Sequence, residues 1–263
     1  MSRHQHLAVC LIFLTLPCCG ADLAEIVSRG TATLKADWAA DADYAFVEKD
    51  EVEKGGKRTS KTSQVVYIDG SDYYLPLGID GQPEKAELDK LKNEVRRRNA
   101  ETPEERRKRI EKYKKERDEN EALVLDFPNA FNFELLREET IDGHPAYVLS
   151  GTPKKRTGHP SLAAKVLSGM QGTLWVDQEN FHAIRVECDV MTPVPIYGIL
   201  AKVLPGTHIE LGMAPVSDST WLVSGLSMNL KVAKLMLFKS AQLTRSTYTN
   251  YRLNSLVLEE LLR

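Results

Sequence analysis

Residues 226–232 alternate without interruption: Leu226, Met228, Leu230 and Val232 are apolar, and Ser227, Asn229 and Lys231 between them are polar. A two-residue period places successive side chains on opposite sides of an extended backbone, so this stretch is a strand with one dry face and one wet face. Strands of a parallel sheet are covered on both faces and read as continuous apolar runs, whereas strict alternation belongs to an antiparallel sheet packed on one side.

Residues 170–189 supply the connection that such a sheet needs. Thr173, Leu174, Trp175 and Val176 make a β-branched and aromatic arm, and Asp177-Gln178-Glu179-Asn180 has turn chemistry. In the returning arm Ile184, Val186 and Cys188 alternate with Arg185, Glu187 and Asp189, which predicts that the three apolar residues share a face. Trp175 falls on the opposite face from Leu174 and Val176, so the hairpin carries apolar groups on both sides and requires two covers.

The same punctuation recurs along the chain. Gly55-Gly56, Asp69-Gly70 and Asp142-Gly143 each separate strand-like runs, as hairpin turns do. Trp221, Leu222 and Val223 lead into the alternating strand, whose pattern slips by one residue over 234–238, and a polar-aromatic strand follows at 243–251. Roughly eight to eleven strands result, joined by short turns, which indicates an antiparallel sheet. Helices are predicted over 22–40, where Asp22 precedes a stripe of Leu23, Ile26, Val27, Leu34 and Trp38, and over 256–262. Residues 84–121 are mostly charged and divide at Thr102-Pro103-Glu104-Glu105, a capping box with proline at the first helical position. The mixed signs predict two exposed helices that contribute little to the core, with Arg96-Arg97-Arg98 and residues 106–109 as the local basic clusters.

The order Gly172-Thr173-Leu174-Trp175-Val176-Asp177, turn, alternating strand, preceded by Gly143-His144-Pro145-Ala146-Tyr147-Val148-Leu149, resembles the LolA/LolB-like periplasmic lipoprotein-localisation family with its RseB-like relatives. The resemblance implies a mainly β (α+β) fold, a strongly curved antiparallel sheet forming an incomplete barrel covered by helices. It implies a single domain over 22–263 in which 84–121 is a charged helical insertion. It also implies a carrier for the acyl chain of a lipid or lipoprotein in the bacterial envelope, with no enzymatic activity and no cofactor. The ligand-binding candidates are Leu174, Trp175, Val176, Ile184 and Val186 of the hairpin and Leu226, Met228, Leu230 and Val232 of the alternating strand. Helices would cover one face of the sheet and a lipid part of the other. An RseB-like envelope sensor or interaction module, with a self-filled core and a protein partner, is the alternative.

Arg3, His4 and His6 precede an apolar run at 7–16, too short for the ~20 helical residues of a membrane span, and small residues follow. Residues 1–21 therefore read as a signal peptide of an exported, periplasmic protein that is not integral to the membrane. Cys18 or Cys19 is a candidate lipidation site in an outer-membrane lipoprotein. The net charge of −2 provides no global field for nucleic acid. His144, His159, His182 and His208 lack metal-ligand spacing, no Gly-x-Ser-x-Gly elbow is present, and Gly55-Gly56-Lys57-Arg58-Thr59 lacks the first glycine of a phosphate loop.

Overall fold

The computed structural model describes residues 22–154, 167–195, 201–234 and 238–263. The expected signal segment with Cys18 and Cys19, and the centre of the register slip at 235–237, lie outside the described residues.

Turn chemistry sets the first three strands. Gly55-Gly56, at φ 57° and 77°, folds β1 (Tyr44–Lys54) onto β2 (Lys57–Ile68), and Asp69-Gly70, at φ 48° and 77°, folds β2 onto β3 (Ser71–Pro76). Two successive left-handed residues give the turn a twist that matches its flanking strands. Asp142-Gly143 joins β4 (Phe131–Ile141) to β5 (His144–Pro153) in the same way. The remaining strands are β6 (Met170–Asp177), β7 (Ala183–Val190), β8 (Val194–Pro195), β9 (Ala201–Val203), β10 (His208–Ser217), β11 (Thr220–Lys234) and β12 (Phe238–Leu253).

Together they form one 12-stranded antiparallel sheet in the order β3-β2-β1-β12-β11-β10-β7-β6-β5-β4, with β8 and β9 attached beside β11. The sheet is open, with β3 and β4 as its edges. Its two faces are legible row by row. Leu149, Leu174, Val186, Leu211 and Leu226 stand opposite one another on consecutive strands, and the row continues as Ser246, Asp50 and Lys61. The neighbouring row on the other face reads Ser150, Thr173, Glu187, Glu210, Ser227, Arg245, Glu51 and Ser60, polar throughout.

Helices α1 (Leu23–Ala40) and α3 (Pro103–Ala130) cover the apolar face where it meets β4 to β7 and β10. At the other end the covered face is the opposite one. There α2 (Lys85–Asn99) and α4 (Asn254–Leu262) pack on Ala45, Val66, Ile68 and Leu75 through Leu91 and Val257. The capping box forms: the Thr102 hydroxyl accepts from the Glu105 backbone at 3.3 Å, while the Thr102 backbone donates to the Glu105 carboxylate at 2.9 Å.

The charged pair is more than a solvated appendage. Leu91 is fully buried, with Leu88 and Val95 packed around it. Arg98 is 5% exposed and donates to the Ile68 carbonyl at 2.6 Å and the Ser71 hydroxyl at 2.8 Å. The basic clusters are occupied internally, with Arg97 on Glu94 and Glu101, Arg106 on Asp69, and Arg109 on Asp69 and Glu101. The sequence obscured this because α2 buries one narrow stripe and its many charges pair along the remaining surface. Only α3 keeps the expected exposure, at Ile110. Leu91→Ala therefore lowers stability by about 3 kcal/mol in chemical denaturation, and Ile110→Ala by less than about 0.5 kcal/mol; equal effects would contradict this division.

Candidate functional site

Between α1, the end of α3 and the apolar face lies a cavity of about 440 Å³. From α1 it is lined by Ile26, Val27, Gly30, Thr31 and Leu34, and from the last turn of α3 by Phe127 and Pro128. Phe131, Phe133, Leu149, Leu167, Met170, Leu174, Val176, Phe181, Ala183, Val186, Cys188, Ile209 and Leu211 form its floor and walls. The one hydroxyl among these groups, on Thr31, donates to the Val27 carbonyl at 2.6 Å. Among the described residues no charged side chain lines the cavity, so the space suits hydrocarbon.

Gly151 and Gly172 stand opposite one another beside the cavity, between Phe133 and Cys188, and a Cβ on Gly172 would collide with the Glu187 carbonyl. A Cβ on Gly151 would press on the Phe131 and Phe133 rings. On α1, a Cβ at Gly30 would meet only ordinary contacts, 3.6 Å to the Phe181 carbonyl and 3.9 Å to Val176.

The position of α1 is set at its far end. The Asp37 carboxylate, 4% exposed, accepts from the Trp221 backbone N–H at 3.0 Å and lies 2.7 Å from Nδ1 of His182. The Trp221 indole stacks on the His182 ring at 5.5 Å with an interplanar angle of 6°, and His144 meets its edge at 4.8 Å. One turn earlier, the Thr33 hydroxyl donates to the Phe181 carbonyl at 2.8 Å. The β6–β7 connection that receives these bonds is itself braced by Asp177, whose Oδ1 accepts from the backbone of Glu179 and Asn180 at 2.9 Å each. These contacts join α1, the connection and the start of β11. Among the described residues no group of His, Cys, Asp or Glu is arranged to hold a metal ion.

The structure brings Leu174, Val176 and Val186 together in the cavity. Leu226 and Met228 stand on the same face one strand beyond it, opposite Leu211 and Ile209, and Leu230 and Val232 continue that face half-buried. Trp175 and Ile184 are on the other side of the sheet, packed with Ala146, Val148 and Trp221. The expectation that Ile184 shares a face with Val186 and Cys188 is corrected by a bulge. The β6–β7 register shifts between Trp175 and Val176, so Trp175 pairs with Arg185 and Val176 with Ala183. The extra residue sends Ile184 away from the cavity and brings Ala183 into it. The division of covers expected from the sequence is corrected too: helices and cavity lie on the same face, and the opposite apolar patch is closed by its own tryptophans. The contributions of α1, α3 and β4 were not anticipated. The α1 stripe was legible, but its destination was not.

No family model and no curated protein matches the chain. Among solved structures it is similar to a LolA superfamily protein from Nitrosomonas europaea, at 11% identity and a TM-score of 0.38, covering 89% of this chain and 94% of that one. It is also similar to a domain from Vibrio parahaemolyticus described as an outer membrane lipoprotein-sorting protein, at 12% identity and a TM-score of 0.36, covering 90% and 100%. A third likeness is to the Pseudomonas aeruginosa MucA/MucB complex, at 11% identity and a TM-score of 0.24, covering 85% and 98%. With overlaps of this size the functional reading rests on the cavity itself.

Cys188 reports on that cavity. Burial, with smaller contributions from Asp189 and Glu187, pushes its thiol up to about 11. It is the free cysteine of the described residues. A thiolate population lowered by two pH units makes alkylation at pH 8 roughly a hundredfold slower than in the denatured chain. A fatty-acyl ligand slows it further, whereas alkylation of the folded protein at the denatured rate would show that the thiol is open to water.

Proposed function

We propose that this chain binds and carries the acyl chain of a lipid or lipoprotein in the bacterial envelope. The observation that carries this reading is the 440 Å³ cavity between α1, the end of α3 and the sheet, lined by apolar groups. Its volume falls within the roughly 300–1,000 Å³ of small-molecule pockets. Each methylene buried contributes about 0.8 kcal/mol, so ten give about 8 kcal/mol before ordering costs. Micromolar binding needs about 8 kcal/mol net, which takes a few more buried methylenes to offset those costs. A protein-interaction module with a filled core would leave no such space beneath α1. The candidates Leu174, Val176 and Val186 are the proposed contacts, and Leu226 and Met228 extend the same face beyond them.

In this reading residues 1–21 are removed on export and 22–263 act as one domain. Lipidation at Cys18 or Cys19 is the alternative start, and the two differ in the mass of the mature chain. Among the described residues no helix is long and apolar enough to cross a membrane.

Gly30 provides the test, because it lines the cavity and its surroundings accept a methyl group at ordinary contact distances. Gly30→Ala stabilises the protein by about 0.5–1 kcal/mol through helix propensity and retains binding of a fluorescent fatty-acyl probe. Gly30→Trp fills the cavity and abolishes binding while cooperative melting is preserved. Saturable binding by a folded Gly30→Trp protein would place the ligand elsewhere.

A further inference from the structure

The face that floors the cavity changes character past β11. Beyond Leu226 the row becomes Ser246, Asp50 and Lys61, and around it stand Tyr248 of β12, Glu48 of β1 and Tyr74 of β3. Glu48 lies directly opposite Tyr248, and Tyr74 opposite Val65, whose other neighbour is Phe46. At this end α2 and α4 cover the opposite face, leaving Tyr74 44% exposed and Asp72 exposed beside it.

The platform is held from beneath. The β1–β12 register shifts between Ala45 and Val47, and Asn250 is left-handed at φ 56°. The bulge places Tyr251 and Tyr248 against the same ring, Phe46, at centroid distances of 5.3 and 5.7 Å. Such packing fixes the tyrosines before any partner arrives, which reduces the ordering cost of binding.

Its charge is unbalanced. Asp50 and Asp72 both act on Glu48 across the patch, and Lys61 opposes them. Lys61 already sits over the Tyr74 ring, its ammonium 5.8 Å from the centroid, so this ring presents its face to a cation. Burial pushes the Glu48 carboxyl up and the nearby Asp50 adds to it, while burial raises Tyr248 to about 12. An incoming cation relieves the like-charge part of that shift.

We propose that this tyrosine and carboxylate platform is a docking surface for a lysine- or arginine-rich extended segment of a partner protein. Charge complementarity selects a basic occupant, and aromatic faces add cation–π attraction. The width selects a polypeptide: β3, β2, β1 and β12 lie about 4.8 Å apart, so the patch spans roughly 14 Å, more than one amine covers. The proposal is independent of the cavity and its ligand.

The test is calorimetric titration of the full mature chain with hexalysine at low salt, with hexaglutamate and phosphocholine vesicles as comparators. Saturable hexalysine binding is expected, weakening as salt is added. Asp72→Asn weakens it by about fivefold, as for an exposed charge pair, and Glu48→Gln weakens it as well. Lys61→Ala strengthens it by removing the competing ammonium. Glu104→Gln and Glu111→Gln, on the exposed surface of α3, leave it unchanged. Asp72 is exposed and its substitution spares folding; melting is recorded for Glu48→Gln. Absent or non-saturable binding overturns the proposal, as does equal loss in the α3 variants. Self-association through the platform, or binding of phosphocholine vesicles in place of hexalysine, overturns it as well.

Discussion

Asp37 accepts the Trp221 N–H and meets the His182 ring, and by doing so fixes α1 to the β6–β7 connection and to the first residue pairs of β11. A buried carboxylate is tolerable only with such partners, and removing them would leave an uncompensated charge in the core. The geometry of the cavity follows from this attachment. Pinned at its C-terminal half by Thr33 and Asp37, α1 holds Ile26, Val27, Gly30 and Leu34 over the sheet as a wall. Were α1 free to settle, close packing would draw it down onto Leu174 and Val186.

The cavity thus lies between a helix that is fixed and a floor of apolar side chains that includes Leu174, Val186 and Leu211. An apolar space of this kind gains nothing from water, which would find no polar partners inside. Its counterpart on the other half of the sheet obeys the same backbone register with different residues. Where Leu211 and Leu226 make the row dry, Ser246, Asp50 and Lys61 make it wet, and α2 and α4 move to the opposite face to cover Val66, Ile68 and Leu75. One curved sheet therefore carries an apolar compartment and a polar platform on a continuous surface.

Much of the scaffold was legible in the sequence because its signals are local. Turn pairs such as Asp69-Gly70 and Asp142-Gly143, the Thr102–Glu105 capping box and the alternation at 226–232 each depend on a few adjacent residues, and each forms as read. What escaped was non-local. A bulge beside Trp175 reverses Ile184, and no pattern in that hairpin reveals it, because both Ala183 and Ile184 are apolar. The burial of Leu91 is hidden among charges that pair along the helix. The attachment of Asp37 to His182 joins residues far apart in the chain, and neither residue type suggests the other in isolation. Leu174, Val176 and Val186 were found as cavity residues; the α1 and α3 walls were not, since periodicity identifies an apolar stripe without saying what it faces.

A hydrocarbon site beneath α1 retains its ligand through gentle purification. Native mass spectrometry of the protein purified without detergent is the decisive measurement. The expected spectrum shows a chain carrying a non-covalent increment of one acyl-bearing lipid, removed by organic extraction and restored by adding lipid. A protein that emerges only at its polypeptide mass, and takes up no lipid when lipid is supplied, would contradict it.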